Sequence, residues 1–208
     1  MKINLGEHMT VVGITGSGKT YFVRNAILPS FQRVLVIDTE DYDFDDFPNA
    51  RILRRVVSGN YRFAARMLIE PDANALEPIC NTLLKYGHDI CVYVDEITDF
   101  SDSHRIPVAL KALIRKARKR RISVIVGTQR PQMLHLDFLA NSMHNIYFFM
   151  SARDAEYISS YEPRVWENLD RIPYKSYKSL YIAPDRSIML FAPAQNYNWS
   201  KRLKRKVI

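Results

Sequence analysis

The segment GITGSGKT, at Gly13–Thr20, constrains what this chain can fold into more than any other stretch. Val11 precedes it in an apolar run typical of a strand, and Phe22 follows on the apolar face of a predicted helix. A glycine-rich loop in that position presents successive backbone N–H groups at a helix amino terminus, which binds phosphate. Lys19 would reach the β- and γ-phosphates of ATP, and the Thr20 hydroxyl would ligate Mg²⁺. The predicted nucleotide-binding residues are Gly13, Thr15, Gly16, Ser17, Gly18, Lys19 and Thr20.

Apolar runs and helical stretches alternate along the chain, which predicts an α/β fold. The runs lack polar alternation, as expected for strands covered on both faces of a parallel sheet. We expect a P-loop NTPase fold, with a mostly parallel central sheet flanked by helices and a small C-terminal β-hairpin. The predicted strands are Met9–Val12, Val34–Ile37, Ile90–Val94, Ile122–Val126 and Ile146–Met150, and the predicted helices are Lys19–Leu28, Ala73–Tyr86, Pro107–Arg120 and Arg153–Tyr161.

The length of 208 residues favours one domain with one substantial core. We expect residues 9–161 to form that core and residues 162–208 to add a hairpin and a basic tail. The hairpin is predicted from Ser179–Ile182 and Ser187–Phe191. Asp41–Asn49 is acidic and aromatic, and we predict a surface excursion there rather than a core element.

Two carboxylates, Asp95 and Glu96, follow the predicted strand Ile90–Val94. In P-loop enzymes an acidic residue at a second strand end holds the Mg²⁺ ion. We therefore assign Asp95 as a Mg²⁺ ligand together with Thr20, and Glu96 as the base that polarises the attacking water. Taken alone, the pair is equally compatible with a helix cap.

A third strand end is polar, because Ile122–Val126 is followed closely by Thr128–Pro131. If this strand lies beside the one that ends at Asp95, Gln129 points towards the γ-phosphate. A neutral amide there orients water without trapping charge. A turn set by Pro131 is the alternative interpretation of the same residues.

Positive charge exceeds negative charge, with 30 lysines and arginines against 22 acidic residues and a net charge of +8. The excess is clustered: six of the seven residues of Arg115–Arg121 are basic, and Lys201–Lys206 adds five more. Such clusters favour a polyanionic partner, such as a nucleic acid bound through its phosphates without base readout. The alternative is a solvated helix face or tail. The candidate DNA contacts are Arg115, Lys119 and Arg120.

No segment at the N-terminus has the basic, apolar and small-residue order of a signal peptide, and no apolar run approaches the roughly 20 residues of a membrane span. We therefore expect a soluble, intracellular protein. Cys80 and Cys91 lie in apolar segments without the spacing of metal ligands, so both are predicted to be core residues.

Taken together, the motifs resemble those of the FtsK/HerA superfamily of DNA-pumping ATPases, from about residue 9 to residue 161. The small size is similar to that of genome-packaging ATPases of tailless icosahedral viruses with an internal membrane, most of all the archaeal turreted icosahedral type. The residues that carry the resemblance are Gly13–Thr20, Asp38–Glu40, Asp95 with Glu96, the Lys116–Arg118 helix end and Thr128–Pro131.

The resemblance implies an ATP-hydrolysing motor that drives double-stranded DNA into a preformed capsid. It implies a homo-oligomeric ring, for which a hexamer is one option, with capsid or membrane vertex proteins as partners. The implied locations are the host cell cytoplasm and the virion vertex. Family roles fall on Lys19 and Thr20 for phosphate and Mg²⁺, Asp95 for Mg²⁺, Glu96 for water activation and Gln129 as a γ-phosphate sensor.

The resemblance also places an arginine finger, which acts on a neighbouring subunit, at Arg118. In the family a glycine often follows this helix, whereas this chain has Arg120 and Arg121. Arg121, Arg130 and Arg153 therefore stay open as alternatives.

Other functions fit parts of the pattern. A nucleotide kinase would need an acceptor site and a mobile lid bearing arginines, while Glu96 and Gln129 are better suited to water as the nucleophile. A basic DNA-binding module that keeps a nucleotide loop would bind DNA without turnover. Conjugative DNA pumps and filamentous-phage assembly ATPases share the core motifs and usually bring a membrane span. A helicase-like DNA pump of the same superfamily is a further alternative.

Overall fold

The computed structural model describes residues 3–40 and 43–203. Its strands are β1 (Met9–Val12), β2 (Arg33–Asp38), β3 (Phe63–Leu68), β4 (Ile90–Val94), β5 (Ile122–Thr128), β6 (His144–Tyr147), β7 (Ser179–Ile182) and β8 (Ile188–Phe191). Its α-helices are α1 (Lys19–Phe22), α2 (Leu53–Ser58), α3 (Ala73–Tyr86), α4 (Val108–Lys116), α5 (Leu136–Asn141), α6 (Ala152–Ser159), α7 (Arg164–Asn168) and α8 (Ser200–Leu203). A π-helical turn spans Val23–Ile27, and 3-10 turns span Leu28–Ser30, Ile97–Asp99, Ala117–Arg120, Pro131–Met133 and Leu169–Arg171.

The strands of the described residues form one sheet in the order β3-β2-β4-β5-β1-β6-β7-β8. All pairings from β3 to β6 are parallel, whereas β6 with β7 and β7 with β8 are antiparallel. The predicted α/β fold with a mostly parallel sheet and a C-terminal hairpin is confirmed. The hairpin extends the central sheet beyond β6.

The central strands bury both faces, which explains their unbroken apolar runs. In β4, Val92 packs into the cluster beneath α3 and α4, while Cys91 and Tyr93 pack into the cluster beside α1. Successive side chains of a strand point to opposite faces, so each face receives every second residue. The polar residues that follow these strands are therefore held by a rigid, fully covered sheet.

The helix after the glycine-rich loop changes geometry along its length. It is α-helical from Lys19 to Phe22, widens into the π-helical turn at Val23–Ile27, and ends in a 3-10 turn that contains Pro29. The Asn25 side-chain amide donates to the Tyr21 carbonyl at 2.9 Å. In a regular α-helix that carbonyl would accept a hydrogen bond from a backbone N–H. The predicted extent of Lys19–Leu28 is close to that observed.

The prediction that Asp41–Asn49 is a surface excursion is wrong in part. Phe44 and Phe47 are buried, and the Phe47 ring lies 4.8 Å from the Trp199 ring between centroids. Asp45 and Asp46, between the two phenylalanines, are exposed. Because burial of two aromatic rings outweighs the polarity of their neighbours, the described part of the segment folds back onto the sheet.

Two further differences concern strands. The edge strand β3 was not predicted, since its sequence FAARML is poor in β-branched residues and contains a charge at Arg66. The predicted strand Ile146–Met150 is displaced, because β6 is His144–Tyr147. Beyond Tyr147 the chain turns towards the glycine-rich loop, where the Phe149 carbonyl accepts from the Ile14 N–H at 3.1 Å.

Both cysteines are buried, as predicted, and burial raises the pKa of the Cys80 thiol to about 12. Every helix within residues 3–40 and 43–203 is too short or too polar to cross a membrane. The basic tail predicted at Lys201–Lys206 lies largely outside the described residues, which end at Leu203.

Candidate active site

The predicted nucleotide loop connects β1 to α1 at the carboxyl edge of the sheet. Gly16 and Gly18 have φ angles of +72° and +98°, in the left-handed region that favours glycine. At Gly13 a β-carbon would lie 2.6 Å from Cβ of Phe148, so any side chain there would clash. The three glycines thus permit both the tight turn and the close approach of the loop to the strand behind it.

The loop holds the buried ammonium group of Lys19 in place. Lys19 is only 6% exposed, and its ammonium donates to the Ile14 carbonyl at 3.2 Å. Burial lowers the pKa of Lys19, although the carboxylates of Asp95 and Glu96 oppose that shift. The buried Ser17 hydroxyl has no hydrogen-bond partner in the described structure. A buried ammonium and a free hydroxyl beside a cradle of N–H groups are suited to an anionic ligand.

The first carboxylate after β4 is tied to the first turn of α1. The Thr20 hydroxyl lies 2.9 Å and 3.2 Å from the two carboxylate oxygens of Asp95, and the Tyr93 hydroxyl also donates to Asp95. Burial raises the pKa of Asp95 to about 6, while the hydrogen bonds from Tyr93 and Thr20 oppose the shift. This pair of oxygen-bearing groups is the one predicted for Mg²⁺.

The donor set fits Mg²⁺. This ion prefers oxygen ligands, takes one or two from protein groups and leaves the rest of its shell to water and substrate phosphates. Thr20 and Asp95 supply a hydroxyl and a carboxylate that already lie side by side. Within the described residues, no cluster of three or more His, Cys, Asp or Glu side chains offers a competing all-protein site.

The second carboxylate is held by the neighbouring strand. The backbone N–H of Gln129 donates to one carboxylate oxygen of Glu96 at 2.9 Å, and the Thr98 hydroxyl donates to the other. The Gln129 side-chain oxygen accepts from the hydroxyl of Thr15 in the nucleotide loop. The predicted position of Gln129 required strand Ile122–Val126 to lie beside the strand that ends at Asp95. It does so, because β4 and β5 pair in parallel. The three predicted polar strand ends therefore meet at one place.

Three contributors to this site were not predicted: Tyr93, Thr98 and Gly127. Tyr93 stands two residues before Asp95, so its side chain lies on the face of β4 from which its hydroxyl donates to Asp95. At Gly127 a β-carbon would lie 2.1 Å from the Asp95 carbonyl oxygen and 3.2 Å from the Tyr93 hydroxyl. An isolated glycine inside a strand signals such a close approach, and could have revealed it.

The acidic end of β2, which the family resemblance includes, borders the same site. Asp38 is 4% exposed and accepts from the Glu40 N–H at 3.1 Å. Burial raises the pKa of Asp38, and the positive charge of Arg66 opposes the shift. The charge of Asp38 contributes in turn to the raised pKa of Asp95, so the two carboxyl groups share one electrostatic environment.

No protein-family model matches this chain. Over 131 residues it is 30% identical to Protein P9 of Pseudoalteromonas phage PM2, and the match spans 60% of this chain and 60% of the length of P9. Among solved structures, the genome packaging NTPase B204 of Sulfolobus turreted icosahedral virus 2, in complex with ATPγS, matches with a TM-score of 0.79 at 18% identity, covering 93% of this chain and 100% of B204. VirB4 of Thermoanaerobacter pseudethanolicus matches with a TM-score of 0.62 at 11% identity, covering 94% of this chain and 91% of VirB4.

This chain has the fold of the packaging NTPases. The family resemblance drawn from the sequence is therefore confirmed at the level of the fold, over more of the chain than residues 9–161. The roles of individual residues are not settled by that likeness, and they depend on the geometry of this chain.

The predicted finger, Arg118, lies at the edge of the sheet opposite to the glycine-rich loop. It is exposed in the turn that directly precedes β5, and its carbonyl oxygen lies 3.1 Å from the position of a β-carbon built on Gly6. The seven residues of β5 separate the two edges by roughly 20 Å at about 3.3 Å per residue. The Arg118 side chain therefore does not reach the nucleotide loop of its own chain.

The alternative arginines are divided between the two edges. Arg121 lies at the amino edge with Arg118, and its guanidinium pairs with the Asp89 carboxylate at 2.8 Å. Arg130 is exposed directly after Gln129, and Arg153 is exposed in the first turn of α6. Among these alternatives, Arg130 is thus the one that directly follows a predicted site residue, Gln129, in the sequence.

The three candidate DNA contacts differ in what they already bind. Arg115 pairs with the Asp137 carboxylate at 2.7 Å, yet its side chain remains 54% exposed. Arg120 donates to the carbonyls of Lys85 and Gly87, at 3.2 Å and 3.4 Å, near the C-terminal end of α3. The side chain of Lys119 is exposed and makes no hydrogen bond or ion pair with any other described residue. Their role in DNA binding stays a prediction.

Proposed function

We propose that this chain is an ATP-hydrolysing motor that translocates double-stranded DNA and packages a viral genome into a preformed capsid. The observation that carries the proposal is the convergence of three charged side chains at the carboxyl edge of the sheet: Lys19, Asp95 and Glu96. The likeness to the packaging NTPase B204 and to Protein P9 supports DNA packaging as the process that the hydrolysis drives.

The phosphate side of the site would be built by Lys19, Thr20 and Asp95. Lys19 neutralises charge on the β- and γ-phosphates, and its burial strengthens that interaction because little water screens it. Thr20 and Asp95 would hold Mg²⁺, which supplies further neutralisation of the phosphate oxygens when bound. Asp95 must be ionised for this task, and proximity to Lys19 favours the ionised form.

The water side of the site would be built by Glu96 and Gln129. Thr98 and the Gln129 backbone hold the two carboxylate oxygens of Glu96, so its remaining lone pairs have a fixed direction for accepting the water proton. The Gln129 side chain accepts a hydrogen bond from Thr15 of the nucleotide loop. A bound γ-phosphate would compete with Thr15 for the Gln129 side chain. Gln129 would in this way sense whether the triphosphate is present.

The remaining parts of the proposal concern assembly. The active species is a homo-oligomeric ring, with a hexamer as one option, in which Arg118 acts on the nucleotide of the adjacent subunit. Arg115, Lys119 and Arg120 contact DNA phosphates without sequence preference. The partners are capsid or membrane vertex proteins, and the chain works in the host cytoplasm and at the virion vertex.

The test separates nucleotide binding from hydrolysis. Lys19→Ala removes the buried cation, so it should weaken ATP binding and abolish turnover. Glu96→Gln keeps the size and the backbone contact but cannot accept a proton, so it should retain bound ATP and lose about 10²- to 10⁴-fold in kcat. Both are measured by ATP binding and by phosphate release, with and without duplex DNA.

Glu70→Gln is the matched control, because Glu70 is an exposed carboxylate outside the site and its loss should leave turnover unchanged. Near wild-type turnover in Glu96→Gln contradicts the assignment of the base. A phosphorylated small molecule in place of inorganic phosphate, with no stimulation by DNA, would indicate a nucleotide kinase and contradict the motor.

A further inference from the structure

An apolar cleft of about 340 Å³ opens beside the nucleotide loop. It is continuous with the loop, because Gly18 belongs to both. Apart from the hydroxyls of its two tyrosines, its side chains carry no hydrogen-bonding group. The cleft is lined by Gly18, Tyr21, Phe22, Tyr177, Pro193 and Ala194.

The C-terminal part of the chain supplies one wall of the cleft and is fastened to the helix that forms the other. The Phe22 ring stacks on the Phe191 ring, with centroids 6.0 Å apart and 18° between the planes. Downstream of Pro193 and Ala194, the Tyr197 N–H donates to the Asn25 side chain at 2.9 Å. The wall after β8 is therefore held at a set position relative to the nucleotide loop.

Two tyrosine rings at the cleft are left half-exposed. Tyr177 is 48% exposed, and its Cδ1 lies 3.1 Å from the position of a β-carbon built on Gly18. Tyr21, in the first turn of α1, is 49% exposed. Large exposed aromatic surfaces grouped around a concave site mark a place where a ligand binds. A flat aromatic ligand fits such walls, because stacking requires only two π-faces.

We propose that this cleft receives the base of the nucleotide whose phosphates lie in the glycine-rich loop, and that it binds the base by stacking on Tyr177 and Tyr21. The inference rests on the proposed function, which places a nucleoside triphosphate in that loop. Strong discrimination between similar ligands requires buried polar groups that a wrong ligand leaves unpaired. The hydrogen-bonding side chains of the cleft are the two half-exposed tyrosines, neither of which is buried, so the cleft accepts purine and pyrimidine nucleotides with little preference.

Binding of nucleoside diphosphates, which avoids hydrolysis, tests the proposal. The dissociation constants of ADP, GDP, CDP and UDP with Mg²⁺ should lie within about tenfold of one another. Tyr177→Ala should weaken ADP binding by roughly tenfold, a typical effect of removing one aromatic ring from a base, and leave inorganic pyrophosphate binding unchanged. Tyr177→Phe keeps the ring and should keep the affinity.

Tyr174→Ala is the matched control, because Tyr174 is an exposed tyrosine of the same loop that packs on Phe149 outside the cleft. Unchanged ADP affinity in Tyr177→Ala, equal losses for ADP and pyrophosphate, or a preference above about 100-fold for one base would each overturn the proposal. A protein that binds all four diphosphates but hydrolyses no triphosphate would contradict the proposed function and leave the base cleft intact. A protein that binds none contradicts both.

Discussion

The two edges of the parallel sheet differ in how far their candidate functional side chains are exposed. At the carboxyl edge they are paired with one another, as Thr20 is with Asp95 and the Gln129 backbone is with Glu96. At the amino edge the turn Ala117–Arg120 leaves its basic side chains exposed. The difference shows that the fold of one chain brings together the groups proposed for hydrolysis. The clustered positive charges of the turn instead face outwards, where a second molecule can contact them.

The cause is the direction of the strands. All parallel strands end at the same edge, so residues that follow β1, β4 and β5 meet there. The crossover helix α4 then carries the chain back, and its last residues meet the opposite edge before β5 begins. A basic cluster at the end of that helix is therefore remote from the acidic site of its own chain.

The largest effect is expected from Arg118. If its guanidinium completes the site of an adjacent subunit, Arg118→Ala should lower the ATPase rate by about 10³- to 10⁵-fold. Mixing Arg118→Ala with Lys19→Ala in equal amounts should restore part of the activity. Some interfaces then pair an intact nucleotide loop with an intact arginine, and phosphate release measures the recovery.

A mixture of Lys19→Ala with Glu96→Gln is the control, since both changes damage the same site of their own chain and no interface becomes intact. Failure of the Arg118→Ala mixture to recover, in subunits that demonstrably co-assemble, would show that Arg118 does not act in trans. The exposed arginine at the amino edge would then have no role in hydrolysis by an adjacent subunit. Arg130 and Arg153 would be the next arginines to test.

A smaller effect is expected from the basic surface. Replacing Arg115, Lys119 and Arg120 together by alanine should weaken duplex DNA binding equally for all sequences. The slope of log affinity against log salt should fall by up to about one unit for each phosphate that is no longer neutralised. Fluorescence anisotropy of labelled DNA at several salt concentrations measures the slope.

The matched control replaces Arg51, Arg54 and Arg55, which are exposed in and just before α2, and so removes the same charge elsewhere. Equal slopes in the two triple variants would mean that net charge alone governs binding. An unchanged slope in the first variant would instead assign its residues to a contact between subunits.

The smallest effect concerns stability at the amino edge. His8 is 6% exposed; its Nδ1 accepts from the Val124 N–H at 3.0 Å, so Nε2 carries the proton that is donated to the Ile114 carbonyl at 2.9 Å. Burial lowers the pKa of His8 below its ordinary value of 6.5, and the charge of Arg118 adds to the shift. The unfolded chain then binds the proton more readily, so stability should fall as the pH drops through about 6.5.

His8→Asn should lose about 1 to 3 kcal/mol of unfolding free energy at pH 7.5 and depend less on pH between 7.5 and 5.5. Urea unfolding at both pH values provides the measurement, with the exposed His104→Asn as control. If His8→Asn shows the same pH dependence as the unmodified protein, another group governs acid unfolding.

Much of the site was predictable because its residues follow strands that are easily identified. A run such as Ile90–Val94 signals a covered strand, and Asp95 and Glu96 follow it directly. Gln129 required one further assumption, that β5 lies beside β4. The edge strand β3 was not predictable in the same way, since FAARML is poor in β-branched residues and contains the charge of Arg66. The burial of Phe44 depends on its contact with Tyr93, which is distant in the sequence.

The sequence by itself determined the glycine-rich loop, the acidic pair and the α/β fold, because loop composition and strand periodicity depend on residues that are neighbours in the chain. Only the tertiary structure decided that Arg118 faces away from the loop of its own chain, since that follows from strand direction. It also decided that Tyr177 meets Gly18, because packing between a helix and a C-terminal hairpin joins residues that no spacing rule connects.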